Sequence, residues 1–74
     1  LSVSIFPNPA NETVTITGEM TGIVSVYTVN GSLLYTSLKT NSNLEVDISE
    51  WSAGVYILEL KAESGLQRTK LIKE

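Results

Sequence analysis

Apolar and polar residues alternate with a period of two along most of this chain, the spacing of strands whose successive side chains point to opposite faces. Val3 and Ile5 alternate with serines, and Thr13–Thr17 alternates threonine with valine and isoleucine. Similar runs predict further strands at 23–29, 33–36, 44–48, 55–62 and 67–73. Seven short strands separated by turn residues are typical of a small antiparallel β-sandwich of the immunoglobulin-like kind. The predicted fold class is therefore all-β, with at most a single helical turn.

The same alternation predicts which side chains form the core. In the third strand Val24 and Val26 share one face, whereas Ile23, Tyr27 and Val29 share the other, so this strand is expected to be partly covered on both sides. Tyr56 and its neighbours at alternate positions form the inward face of the sixth strand. The predicted core comprises Val14, Ile16, Val24, Val26, Leu44, Val46, Ile48, Tyr56, Leu58 and Leu60.

Turn residues separate the strands. Asn30-Gly31 predicts a two-residue type I′ hairpin turn, since both of its central residues need positive φ and Asn and Gly tolerate this best. The segment from Lys39 to Asn43 is interpreted as a polar loop, and Gly54 is predicted to have positive φ at the end of "SEWSAG".

A rigid corner follows the first strand. In "FPNPA" the two prolines, Pro7 and Pro9, flank Asn8. Because proline cannot donate a ladder hydrogen bond, this segment is expected to end a strand and to blunt a sheet edge against pairing with other molecules.

Length and charge limit the possible functions. The chain has 74 residues, so residues 1–74 are expected to form one domain. Its formal net charge is −3, which argues against nucleic-acid binding, and no apolar run approaches the about 20 residues of a membrane span. Four of the five basic residues fall within the last fourteen positions. Because the chain starts directly in a strand-like pattern, it is interpreted as a piece of a longer protein.

The candidate chemistry is sparse. The chain has no histidine and no cysteine, so the commonest general base and the best nucleophile are missing. Its carboxylates Glu45, Asp47 and Glu59 alternate outward from strands. The nearby acids Glu45, Asp47 and Glu50 are not interleaved with glycine as in a calcium loop. We therefore expect no enzyme activity, no metal site and no cofactor. The aromatic residues Trp51, Tyr27, Tyr35 and Tyr56 leave open a carbohydrate-binding or adhesive module of the same fold.

Four motifs in order indicate a family. "FPNPA", "VYTVNGSLLY", "WSAGVYILEL" and "KLIKE" together span the whole chain. In this order and spacing they resemble the C-terminal sorting domain, type A, of proteins exported by the type IX (Por) secretion system of Bacteroidetes. The family's Pro-Asn-Pro element matches Pro7, Asn8 and Pro9, its Gly-x-Tyr element matches Gly54 and Tyr56, and its basic, apolar terminal strand matches Lys70, Leu71, Ile72 and Lys73. An aspartate that often follows the tyrosine of the middle hairpin is replaced here by Thr28, which would remove a turn-side hydrogen bond.

The resemblance implies a secretion signal. A cargo domain on the N-terminal side of the same chain would cross the periplasm and be exported through the outer-membrane type IX machinery. A sortase-like peptidase would cut before the domain, and the cargo would be anchored at the cell surface or released. The corner would keep the cut site outside the sandwich.

The terminal strand is the predicted recognition element. As a last strand it is expected to lie at a sheet edge, with unpaired backbone groups available for strand addition by a partner. Lys70 and Lys73 would steer toward an acidic receptor surface, and one of Leu71 and Ile72 must face away from the core. Deleting residues 70–74 would then be expected to leave most of the sandwich folded.

Overall fold

The computed structural model describes residues 3–40 and 43–74, which form seven β-strands and no helix. Within these residues there is accordingly no helix that could cross a lipid bilayer. The strands are β1 (Ser4–Phe6), β2 (Thr13–Thr17), β3 (Gly22–Thr28), β4 (Leu33–Lys39), β5 (Leu44–Asp47), β6 (Gly54–Ala62) and β7 (Gly65–Lys73).

The strands form two antiparallel sheets with the orders β1-β2-β5 and β4-β3-β6-β7. In an immunoglobulin-like sandwich the first, second and fifth strands lie in one sheet and the third, sixth and seventh strands lie in the other, as they do here. The predicted all-β sandwich is confirmed. The terminal strand β7 lies at the edge of the four-stranded sheet, as predicted.

The inward faces of the two sheets form the core. Leu44 is half-buried against the core, whereas the other predicted core residues are buried. Two further residues, Ala10 and Leu71, are 1% and 0% exposed. Ala10 follows the proline corner and Leu71 lies in β7, so both ends of the described chain contribute to the core.

The β3–β4 turn differs from the prediction. Among the described residues no residue other than glycine has positive φ, so Asn30 cannot form a type I′ turn, whereas Gly31 has φ +91°. The Gly31 amide donates to the Thr28 carbonyl at 2.9 Å and the Thr28 amide donates to the Ser32 carbonyl at 2.9 Å. This is a three-residue loop, 29–31, with glycine at its left-handed position. The Thr28 hydroxyl accepts a hydrogen bond from the Ser32 amide at 3.2 Å, so threonine makes the turn-side bond whose loss was expected.

Lys39 belongs to a strand and not to a loop. It ends β4, pairs with Gly22 and is 1% exposed. Its Nζ donates to the carbonyls of Gly18, Met20 and Thr40. A buried ammonium group is tolerated only when its donors are satisfied, and these carbonyls supply acceptors beside the β2–β3 turn. Of the predicted polar loop, Asn41 and Ser42 lie outside the described residues.

The outer face of β3 is covered in part. Ile23 is 44% exposed, whereas Ser25 is 8% exposed and Tyr27 is half-buried on the same face, so the predicted partial cover holds for two of these three residues. Val29, which is 68% exposed, lies in the loop beyond β3.

Candidate functional site

The proline corner lies against the terminal strand. Pro7 and Pro9 follow cis peptide bonds on either side of Asn8. The Asn8 side chain reaches two backbone groups of β7: its Nδ2 donates to the Lys70 carbonyl at 2.8 Å, and its Oδ1 accepts from the Ile72 amide at 3.0 Å. One side-chain amide thus replaces a neighbouring strand over these residues.

The backbone continues this pairing just after the corner. The Ala10 amide donates to the Ile72 carbonyl at 2.8 Å, and the Glu74 amide donates to the Ala10 carbonyl at 2.8 Å. Ala10 and Lys73 thereby form a parallel bridge. We call the contacts of Asn8 and Ala10 with residues 70–74 the corner clamp.

The corner clamp corrects the prediction of a free edge. The Lys70 carbonyl, the amide and carbonyl of Ile72, and the Glu74 amide are hydrogen-bonded at this edge. Strand addition at this half of β7 would therefore require displacement of the corner. The proline segment is expected from sequence to blunt a sheet edge. In the structure, the edge that this segment covers is that of β7.

The side chains of the terminal strand divide between the two faces of the sheet. Leu71 is 0% exposed and points into the core, whereas Lys70 is exposed and Ile72 is half-buried on the outer face. One of the two adjacent apolar residues faces away from the core, as expected. Lys73 is only 8% exposed, and its Nζ donates to the Glu74 carbonyl at 2.9 Å. The hypothesis that its ammonium group steers toward a receptor does not fit this burial.

The Gly-x-Tyr element lies beside the same strand, on the side away from the corner. Gly54 pairs with Lys73, and Tyr56 pairs with Leu71. Gly54 has φ +150°, as predicted, and the Tyr56 hydroxyl donates to the Ser52 carbonyl at 2.5 Å. The tyrosine thus holds the turn that carries the chain from β5 to β6. Corner, Gly-x-Tyr element and terminal strand form one continuous region, although they are far apart in sequence.

Sequence reasoning missed Ala10 in this region. Its small side chain is buried, and its backbone closes the edge beside Ile72 and Glu74. The available signal was its position directly after the corner, where the chain must pass between the two sheets.

Residues 4–74 match the family described as the secretion system C-terminal sorting domain. The chain belongs to this family. The predicted resemblance is thereby confirmed. A search of curated proteins found no match.

The sorting domain is the C-terminal secretion signal of type IX cargo. Its family is one of secretion signals and not of catalysts. A signal of this kind implies a cargo domain on its N-terminal side, interaction with the type IX machinery, and export to the cell surface or the extracellular space.

The aromatic residues of the sorting domain do not form a flat platform. The rings of Trp51 and Tyr56 are 5.1 Å apart and inclined by 50°, and those of Tyr35 and Trp51 are 6.5 Å apart and inclined by 56°. Trp51 is half-buried against the core. Sugar-binding platforms stack a pyranose on exposed aromatic faces, so this inclined, partly buried group argues against the carbohydrate-binding alternative.

A second group of polar residues lies on the three-stranded sheet. Glu12, Glu45 and Asp47 line a shallow depression together with Thr13 and Ser49. The Ser49 amide donates to Asp47 Oδ1 at 2.9 Å, and this bond together with the Ser49 side chain lowers the pKa of the Asp47 carboxyl. Within residues 3–40 and 43–74 no group of carboxylates is arranged to hold a metal ion.

Proposed function

We propose that this domain, residues 1–74, directs a cargo domain of the same chain through the outer-membrane type IX translocon. A sortase-like peptidase then removes the domain, and the cargo is anchored to the cell surface or released. The domain itself has no catalytic activity and uses no cofactor. The observation that supports this most strongly is the convergence of the corner, the Gly-x-Tyr element and the terminal strand in a family of secretion signals.

The proposed recognition region comprises two kinds of residue. Lys70 and Ile72 present side chains to a partner on the outer face, whereas seven other residues, of which Tyr56, Leu71 and Lys73 are buried, hold the terminal strand in place. These supporting residues are Pro7, Asn8, Pro9, Gly54, Tyr56, Leu71 and Lys73. Because strand and corner are held together by four hydrogen bonds, their shape is fixed before the partner arrives, which lowers the entropic cost of binding.

The corner also bears on where the peptidase acts. Ser4 to Phe6 pair with β2, and Asn8 and Ala10 are bonded to β7. A peptidase needs an extended, unpaired substrate, and backbone held in this way resists it. Cleavage is therefore proposed to occur on the N-terminal side of β1.

A reporter fusion tests the proposed function. A folded periplasmic reporter carrying this chain at its C-terminus is expressed in a bacterium with a type IX system. The reporter is expected at the cell surface or in the medium, because the domain alone carries the signal. The matched control carries an unrelated β-sandwich of similar size, and its reporter should stay in the periplasm. Equal retention of both reporters in the periplasm would contradict the proposal.

A further inference from the structure

The outer face of the four-stranded sheet presents a patterned surface. Because the edge of β7 at residues 70–74 is occupied by the corner clamp, a partner can read this part of the strand through its outward side chains. Strand register places these side chains in rows with those of β6, β3 and β4. In one row Ile23 lies between Leu38 and Lys61, and Leu66 follows Lys61. In another, Ile57 lies between Tyr27 and Lys70.

Exposed apolar residues concentrate on this face. Leu38, Leu66 and Ile23 are 57%, 51% and 44% exposed, and Val55 beside Ile72 is 40% exposed. On the opposite outer face, that of the three-stranded sheet, the described exposed residues are mainly serine, threonine and carboxylates, with Phe6 as an apolar exception. Clusters of exposed large apolar side chains on a small domain mark interaction surfaces.

Positive charge concentrates on the same face. Of the five lysine and arginine side chains, Lys39 and Lys73 are buried, and the exposed ones, Lys61, Arg68 and Lys70, all point outward from β6 and β7. Arg68 is paired with Glu59 at 2.9 Å, whereas Lys61 and Lys70 have no ion-pair partner among the described residues. A protein with net charge −3 thus presents all its exposed lysine and arginine side chains on one apolar face.

We propose that this outer face, centred on Ile23, Leu66, Lys61 and Lys70, docks onto a protein surface in which carboxylates surround apolar side chains. The proposal rests on the proposed function and names the surface through which the export machinery holds the domain. Lys61 and Lys70 would pair with the carboxylates, and the leucines and isoleucine would be removed from water. The apolar side chains of this face stand in rows and are only about half-exposed, which suits a protein surface better than insertion between lipid tails.

Charge reversal tests the proposal in the reporter fusion. Lys61→Glu and Lys70→Glu, each made alone, are expected to reduce export by about tenfold or more, because like charges would face each other across the interface. Ser4→Glu combined with Asn43→Glu lowers the net charge by the same amount on the side of the other sheet, and this control should be exported normally. Thermal unfolding of each variant should match that of the wild type, since both lysines are exposed.

Removal of apolar contacts provides a second arm. Leu38→Ser combined with Leu66→Ser is expected to reduce export by about threefold or more with little change in stability. The wild type, both lysine variants and the double leucine variant could all be exported normally. That result would overturn the docking surface and leave the proposed function intact. Failure of the wild type itself to be exported would overturn both.

Flotation with vesicles separates a protein partner from a lipid surface. The purified domain is mixed with vesicles of equal parts phosphatidylglycerol and phosphatidylcholine. We expect no flotation of the wild type with these vesicles. Flotation that Lys61→Glu and Lys70→Glu abolish would overturn the protein partner in favour of an anionic membrane.

Discussion

Deleting residues 70–74 is expected to unfold this domain outright. The deletion removes Leu71 from the core, the register partners of Gly54 and Tyr56, and every acceptor and donor that Asn8 and Ala10 use on β7. A core of this size rarely supplies more than about 3–5 kcal/mol, and loss of one buried leucine side chain alone costs about 2–5 kcal/mol. The structure thus reverses the expectation from sequence that most of the sandwich would survive the deletion. The measurement is circular dichroism of the truncated chain during heating. A cooperative thermal transition close to that of the wild type would contradict the prediction.

Two adjacent point variants separate the contributions within this strand. Leu71→Ala is expected to lower the free energy of unfolding by about 2–5 kcal/mol, because the side chain is fully buried. Ile72→Ala, one residue further on, should cost about 1 kcal/mol, because its side chain is half-buried on the outer face, where Val55 is its cross-strand neighbour. Chemical denaturation measures both. Equal losses would mean that the inward and outward faces of β7 have been misassigned.

Replacing Asn8 with alanine is expected to lower the free energy of unfolding by about 1–3 kcal/mol. The side chain makes two hydrogen bonds to β7, each worth about 0.5–1.5 kcal/mol. Asn8→Asp keeps the acceptor for the Ile72 amide but replaces the donor to the Lys70 carbonyl with an oxygen, so it should not restore the stability. The control is Asn11→Ala, an exposed asparagine three residues away, which should change stability by less than about 0.5 kcal/mol. The three variants are compared by urea denaturation. Equal denaturation midpoints for Asn8→Ala and Asn11→Ala would contradict the corner clamp.

The strands and most of the core could be predicted because they follow from local alternation. Val14, Ile16 and Leu58, for example, lie at positions whose neighbours are polar or face the other way, so the period of two is enough to bury them. The corner clamp could not be predicted in this way. Asn8 is 62 residues from Lys70 and 64 residues from Ile72 along the chain. Local alternation of polar and apolar residues does not indicate which loop lies beside which sheet edge.

Two errors at turns have specific physical causes. Asn30-Gly31 indicates a hairpin but does not fix the loop length, and the Thr28 hydroxyl and carbonyl favour the three-residue loop in which only Gly31 needs positive φ. Lys39 was interpreted as a loop residue because its neighbours are polar. Its burial depends on carbonyls of Gly18 and Met20 from a different turn, which only the folded chain brings within reach.

The resemblance to the family named the site residues but predicted neither their proximity nor which of them are buried. Lys70 and Lys73 are equivalent in sequence, yet one is exposed and the other is buried, because an odd spacing of three along a strand places them on opposite faces. Because the corner clamp closes the edge at residues 70–74, the terminal strand presents its outward side chains there.

Amide hydrogen exchange along β7 tests the closed edge, on which the rest of the account depends. The amides of Ile72 and Glu74 are bonded to Asn8 Oδ1 and the Ala10 carbonyl, whereas those of Leu66 and Arg68, which face the same edge, have no backbone partner among the described residues. Exchange is slow where opening requires breaking such bonds. We predict strong protection at Ile72 and Glu74 and rapid exchange at Leu66 and Arg68. Rapid exchange at all four amides would show that the edge is open in solution, and would contradict the corner clamp.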